Sequence, residues 1–347
     1  MSQQPIGDEV GHRLIARASW HPLEVLFWVA ALASIYVLPG RHLILTEIAI
    51  LGLFALSLDL ILGYAGIVSL GQAAFFGFGA YSAGLLAKHD LITEPLLALA
   101  FSGIAAALLG FVTSFLVLRG SDLTRIMVTL GVALVLREIA NRYAWLTGGA
   151  DGLQGIEIKP LLGLYRFDMF GHTAYCYALG VLIVLFLLAR RIVQSPFGLS
   201  LQSIKGNPLR AAAVGIPVNG RLVAIYSIAA GYAGAAGALL TQTTAFTSLS
   251  VLDFERSADL LLVLIIGGTG YLYGGLVGAI LFKLMQDYLA TLTPQYWPFW
   301  IGLLLVAIVL IGRERITSWT RPIRALVARL DWRGRRSGAA LAAMDGR

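Results

Sequence analysis

Charge is scarce in this sequence. Asp, Glu, Lys and Arg make up 13% of its 347 residues, against about 25% in ordinary soluble chains. So few charges cannot clothe a water-facing surface, which excludes the pair of soluble domains that the length alone would suggest. Cysteine is nearly absent, and a single Cys176 excludes a disulfide framework within the chain. The five histidines (His12, His21, His42, His89, His172) are scattered outside the long apolar runs, so no metal site is expected. There is no GxxxxGK[ST] run, no HExxH and no close Cys/His cluster. No paired catalytic groups sit at a predicted membrane face, so the chain does not read as an enzyme.

What fills the chain is apolar: 58% of residues, with a mean hydropathy of +0.80. At roughly 20 apolar residues per crossing, this allows about ten spans. Apolar runs fall at 23–39, 43–62, 65–87, 96–118, 126–146, 173–190, 222–244, 256–268, 275–290 and 297–311. The expected fold is therefore all-α, a polytopic membrane protein of about ten transmembrane helices, some short or broken at glycines. Two junctions are glycine-rich: Gly63-Tyr64-Ala65-Gly66, and Gly267-Gly268-Thr269-Gly270 through Gly274-Gly275. The first run follows a polar start with Arg13 and Arg17 and could imitate a signal peptide. Nothing after it resembles a soluble mature domain, so it reads as a retained helix.

Basic residues set the orientation. Arg190, Arg191, Lys205, Arg210 and Arg221 crowd 190–221, and no Asp or Glu occurs between Asp168 and Asp253. The tail from 312 carries nine arginines against Glu314, Asp331 and Asp345. Both stretches should be cytoplasmic, so an even number of crossings separates them. Four crossings satisfy this. The rival nine-span count, which fuses 256–290, does not. With both termini inside, 18 of the 26 basic residues lie on the cytoplasmic side, the net charge of +7 reports orientation, and no nucleic-acid partner is expected. The chain then divides into a cytoplasmic segment 1–22, a membrane domain 23–311 containing a cytoplasmic loop 191–221, and a basic tail 312–347. In the tail, Ile323, Leu326, Val327 and Leu330 recur at helical spacing opposite Arg321, Arg324 and Arg329, which suits a helix lying on anionic lipid. A disordered basic tail is the other reading beyond Arg333.

The cytoplasmic loop is long for a span connector. Pro196 and Gly198 break the preceding run, residues 199–205 suit one short helix, and 208–214 suit a second. Asn207 is the expected N-cap of the second with Pro208 at its first position, and Gly215 and Pro217 stop it. Such a loop can be a lever for a motor protein or only an orienting positive loop.

Four blocks resemble the inner-membrane permease of branched-chain amino acid ABC importers, of the LivM type. They are Leu60–Tyr81 (LILGYAGIVSLGQAAFFGFGAY), Leu146–Ile156 (LTGGADGLQGI), Ser195–Pro217 (SPFGLSLQSIKGNPLRAAAVGIP) and Leu264–Gly278 (LIIGGTGYLYGGLVG). The resemblance implies a bacterial inner-membrane subunit of an ATP-driven importer, forming half of the translocation pathway. It implies a second, LivH-type permease, two cytoplasmic ABC ATPases and a periplasmic substrate-binding protein as partners, besides membrane lipid. No cofactor is implied in this chain, ATP and Mg being bound by the ATPases. Ser195, Pro196, Gly198, Lys205, Asn207, Arg210, Ala213 and Gly215 then match the ATPase-coupling segment. Where glutamates are frequent in the family, Gly206, Pro208 and Ala212 stand here, so Lys205 and Arg210 would meet acidic groups on the motor. Gly148, Gly149, Asp151 and Gly152, in the external loop 147–172, become candidates for docking the binding protein.

Breaks in membrane helices leave backbone groups that only protein or water can satisfy, and half-helix N-termini can hold a carboxylate. Ser69, Gln72, Tyr81 and Thr269 are polar and uncharged, which suits either a path for a zwitterion or tight packing. Gly267 and Gly268 belong to the same candidate path. Arg137 is charged within a span and can guide a carboxylate or join two helices. Gly77, Gly79, Gly231, Gly234 and Gly237 read as packing. Glu138 and Arg142 suit a helical ion pair, and the role of Asp59 stays open. The alternatives are a urea or short-amide ABC permease, and an ion-coupled secondary transporter. The latter would need intramembrane carboxylates, of which Glu47, Asp59, Glu138, Asp259 and Asp287 are the candidates.

Overall fold

The computed structural model describes residues 22–306, apart from positions 39, 93, 162, 164, 166, 169, 170, 297, 298, 304 and 305. The N-terminal segment before Pro22, the basic tail with the surface helix expected there, and most of the tenth apolar run lie outside the described residues. The described residues are helical, with two isolated β-bridges and no strand. The main helices are α1 (Pro22–Val37), α2 (His42–Leu58), α3 (Gln72–Lys88), α4 (Pro95–Val117), α5 (Asp122–Arg142) and α6 (His172–Gln194). They continue with α7 (Pro196–Gly206), α8 (Pro208–Ala213), α9 (Val218–Thr244), α10 (Phe254–Gly267) and α11 (Leu272–Leu292). Among the described residues, five stretches are long and apolar enough to cross a membrane: α2 with its extension to Tyr64, α4, α6, α9 and α11.

The chain forms two compact units, one up to Leu284 and one from Met285 onward. In the first, α9 is the central helix and packs against α4, α3 and α2. Small residues permit this. A Cβ at Gly79 would land on the Gly234 backbone, and one at Gly237 on the Phe76 carbonyl. Gly77 backs onto Leu252, and Gly231 onto Ala107 and the Gly103 carbonyl. These glycines are thus packing residues, as expected where lipid offers no hydrophobic drive between helices and close backbone contact must hold them. The outer face of α4 exposes Phe101, Ile104, Leu108, Val112 and Phe115. The second unit contains the end of α11, a turn in which Tyr296 N–H donates to Thr293 O (3.1 Å), and helical residues 299–303.

Two expected spans differ from their apolar runs. The run from 65 is not helical until Gln72; α2 instead widens into a π-helical turn, Asp59–Tyr64, followed by an irregular segment 65–71. Gly66 takes a left-handed φ of +74°, and the Ser69 hydroxyl accepts the Gly71 N–H (3.3 Å), so hydroxyl capping replaces helix there. The fifth run ends at Arg142, and 144–147 form a separate turn closed by Gly148.

Candidate functional site

The two glycine breaks meet. Gly270 N–H donates to Asp59 Oδ1 at 2.7 Å across 211 residues of sequence, and Asp59 is fully buried. A Cβ on Gly63 would strike Asp59 Oδ1 and lie 2.6 Å from the Gly270 nitrogen, so only glycine lets the π turn approach the α10–α11 turn this closely. That turn uses left-handed φ values at Gly268 (+96°) and Gly270 (+82°). Gly267 abuts the Gly274 carbonyl and Gly278 the Val263 carbonyl, so α10 and α11 fold back on each other as a hairpin and are not fused. Lys205, on α7, reaches the same place: its Nζ donates to Gly63 O at 2.6 Å. Asp59, whose role the sequence left open, is the carboxylate that ties one break to the other.

Beside this knot the N-terminus of α3 gathers polar groups from three elements. Leu70 N–H donates to Thr129 Oγ1 (3.3 Å), Gly71 N–H to Ser69 Oγ (3.3 Å) and Ala73 N–H to Ser257 Oγ (3.0 Å). These hydroxyls occupy donors that a substrate carboxylate would need, so this half-helix N-terminus is not an open anion site. Gln72 is different. It is fully buried, and neither its Nε2 nor its Oε1 has a hydrogen-bond partner. Tyr81 lies about 13 Å further along α3 at 1.5 Å per residue, and its buried hydroxyl is also unpartnered. Thr129 and Ser257 were not singled out from the sequence; a hydroxyl within an otherwise apolar run was the available signal.

Arg137 sits apart from that cluster. Its Nε donates to Asp253 Oδ1 at 2.5 Å, joining α5 to the residue before α10, with both side chains partly exposed (43% and 34%). Glu138 and Arg142 are exposed and form no ion pair with each other, against the sequence expectation. An exposed pair at that spacing is worth only about 0.3–0.5 kcal/mol and does not compel contact. Lys283 reaches Glu47 at 2.5 Å.

The loop after α6 folds into the two short helices α7 and α8. Asn207 Oδ1 accepts Arg210 N–H at 3.0 Å with Pro208 at the first turn, and Gly215 follows at φ +89°. Helix α7 is firmly seated: Leu201 and Ile204 are buried, Gly198 abuts the Val193 carbonyl, and the Arg221 guanidinium lies 5.2 Å over the Phe197 ring. By contrast α8 is exposed. Leu209 and Val214 are each 83% exposed, and Pro208, Leu209, Ala212, Pro217 and Val218 border a surface groove. Ser195 ends α6, and Ala213 lies on the exposed side. This apolar knob was not anticipated.

The candidate docking loop is well pinned. Thr147 Oγ1 donates to Ala140 O (2.5 Å), Leu153 N–H donates to Thr247 O (2.7 Å), and Gly152 lies against Phe246 and Thr247. Leu153 and Ile156 are buried while Asp151, Glu157 and Lys159 face outward. Gly148 and Gly149 turn the chain, both at positive φ.

Residues 41–311 match the family model described as the permease component of the branched-chain amino acid transport system. The chain belongs to this family. It is 25% identical over 319 residues to the high-affinity branched-chain amino acid transport system permease protein LivM of Escherichia coli (strain K12), covering 85% of this chain and 70% of that protein. LivM of Salmonella typhimurium is 25% identical over 325 residues, covering 86% and 75%. A probable branched-chain amino acid transport permease protein LivH of Methanocaldococcus jannaschii is 23% identical over 250 residues, covering 69% and 76%. No solved structure matches the chain. The permease resemblance seen in the four sequence blocks thus extends over most of the chain, and Gly63 of the first block packs against Gly270 of the last, with Asp59 just before the first block bonding to the same residue.

Proposed function

We propose that this chain is the LivM-type permease subunit of an ABC importer for branched-chain amino acids in a bacterial inner membrane. It provides half of a translocation pathway and pairs with a second, LivH-type permease. Two cytoplasmic ATPases bind ATP and Mg and drive the pair, and a periplasmic binding protein delivers the substrate. The observation that carries the coupling assignment is the two-helix loop α7–α8, seated by Lys205 on a glycine break and leaving Leu209 and Val214 exposed. An exposed apolar pair outside lipid is a docking feature, and it answers the lack of acidic side chains in this loop. Lys205 is spent internally on Gly63, so of Lys205 and Arg210 it is Arg210 that is left to face a motor. Gly148, Gly149, Asp151 and Gly152 form the rigid external platform for the binding protein. Gln72 and Tyr81, buried with unpartnered polar atoms, are the residues that a passing zwitterion or its water would satisfy. Ser69 and Thr269 flank that path, while Arg137 acts through its pair with Asp253.

The membrane domain is read as ten crossings over 23–311 with both ends in the cytoplasm. Reconstitution of the complete importer tests the function. Uptake of labelled leucine is expected to require ATP and the binding protein and to survive collapse of ion gradients. ATP-independent uptake abolished by an ionophore would instead establish a secondary transporter, and selective urea uptake would establish the sister specificity.

A further inference from the structure

The contacts around Gly63 join three segments that are remote in sequence. Lys205 Nζ donates to Gly63 O at 2.6 Å. Four residues before Gly63, Asp59 accepts the Gly270 N–H at 2.7 Å. Gly63 itself packs on Gly270 with no room for a methyl group, and the Lys205 stem lies against Gly66, where a Cβ would come within 3.0 Å of its Cγ. The Lys205 bond carries a formal charge on its donor, which makes it roughly twice as strong as a neutral one. Lys205 occupies the last turn of α7, the part of the loop that is anchored by buried Leu201 and Ile204.

We infer that Lys205 and Asp59 are positioning residues that make the cytoplasmic loop and the two glycine breaks move as one body. A displacement of α7 pulls on the Gly63 carbonyl. The π turn (residues 59–64) carries that displacement to Asp59, and Asp59 carries it to the turn before α11. Breaks of this kind are where a membrane helix bends most cheaply, because their backbone groups are already partnered outside the helix. Neither residue touches substrate or nucleotide in this scheme. The inference rests on the reading of α7–α8 as the coupling loop.

The test uses the complete importer in proteoliposomes, measuring substrate imported per ATP hydrolysed. Lys205→Met keeps the length and packing of the stem and removes the donor; the transport-to-hydrolysis ratio is expected to fall about tenfold. Lys205→Arg restores a donor and is expected to recover most of it. Asp59→Asn keeps an acceptor oxygen for Gly270 and should lose less than Asp59→Ala. A ratio in Lys205→Met equal to that of the unaltered importer overturns the inference, as does a Lys205→Arg protein no better than Lys205→Met. Leu209→Asp, on the loop but touching neither break, tests the underlying reading. Normal coupling in Leu209→Asp defeats the coupling-loop assignment itself. Uncoupled Leu209→Asp beside normally coupled Lys205→Met defeats only the role given to Lys205 and Asp59.

Discussion

At Gly63 a single methyl group decides whether the two breaks can touch. An alanine Cβ would collide with Asp59 Oδ1 and with the Gly270 backbone, which cannot swing aside as a side chain can. Overpacking of this kind costs about 1–3 kcal/mol, so Gly63→Ala should lower the thermal unfolding midpoint of the purified protein by several degrees. Gly103→Ala is the comparison, because its nearest neighbour would be 3.5 Å away; equal midpoints in the two variants would contradict the contact. Gln72 makes the opposite case. Its buried amide has no partner, and an unsatisfied polar group costs about 1–3 kcal/mol. Gln72→Leu should therefore unfold at a higher temperature while uptake by the reconstituted importer falls. Undiminished uptake would remove Gln72 from the path. Gln72 and Ser69 were legible in the sequence because polar side chains stand out in apolar runs. The role of Asp59 was not, because its partner is a backbone N–H 211 residues away.

Among elements, α8 was the most legible and its surface the least. Asn207, Pro208 and Gly215 are local signals acting within one turn of the helix they bound, and the Asn207 cap forms as that logic requires. Exposure is not local. In a chain that is 58% apolar, Leu209 and Val214 carry no mark that separates them from lipid-facing residues, and only their position on an outlying helix reveals the knob. Val214→Asp should leave the protein in the membrane fraction at normal abundance, since the side chain is 83% exposed, yet strongly reduce ATP-driven uptake. Normal uptake with Val214→Asp would show that α8 docks nothing through this residue. The π turn was missed for a related reason: an apolar run cannot report where its hydrogen bonds shift from one register to another. Helix α5 shows the reverse limit. From Arg125 to Arg137 it covers about 18 Å at 1.5 Å per residue, short of the roughly 30 Å hydrocarbon core, so hydropathy alone does not select it. The charges at its ends need protein or water beside them.

For the molecule as a whole, the parity of crossings is the sequence argument with most at stake, and contacts bear on it from both faces. Lys205, Gly63 and Gly270 come from three junctions that charge counting assigns to the cytoplasm; Lys205 bonds Gly63, and Asp59 of the same π turn bonds Gly270. Leu153 bridges Thr247, and Lys159 pairs with Asp90 at 3.1 Å, joining three junctions assigned to the outside. An error of one crossing between Gly63 and Gly270 would separate at least one of these partners by a hydrocarbon layer about 30 Å thick, which no side chain spans. The fused alternative for 256–290 also fails on its own geometry, since Gly278 on α11 lies against Val263 on α10, a contact that a single straight helix cannot make 15 residues apart. A reporter domain fused after Phe246 is therefore expected outside the membrane, and one fused after Arg210 inside. A cytoplasmic signal at Phe246 would require α9 to return to the side it left, and the even count of crossings after the loop would have to be abandoned together with the shared cytoplasmic side of the loop and the tail.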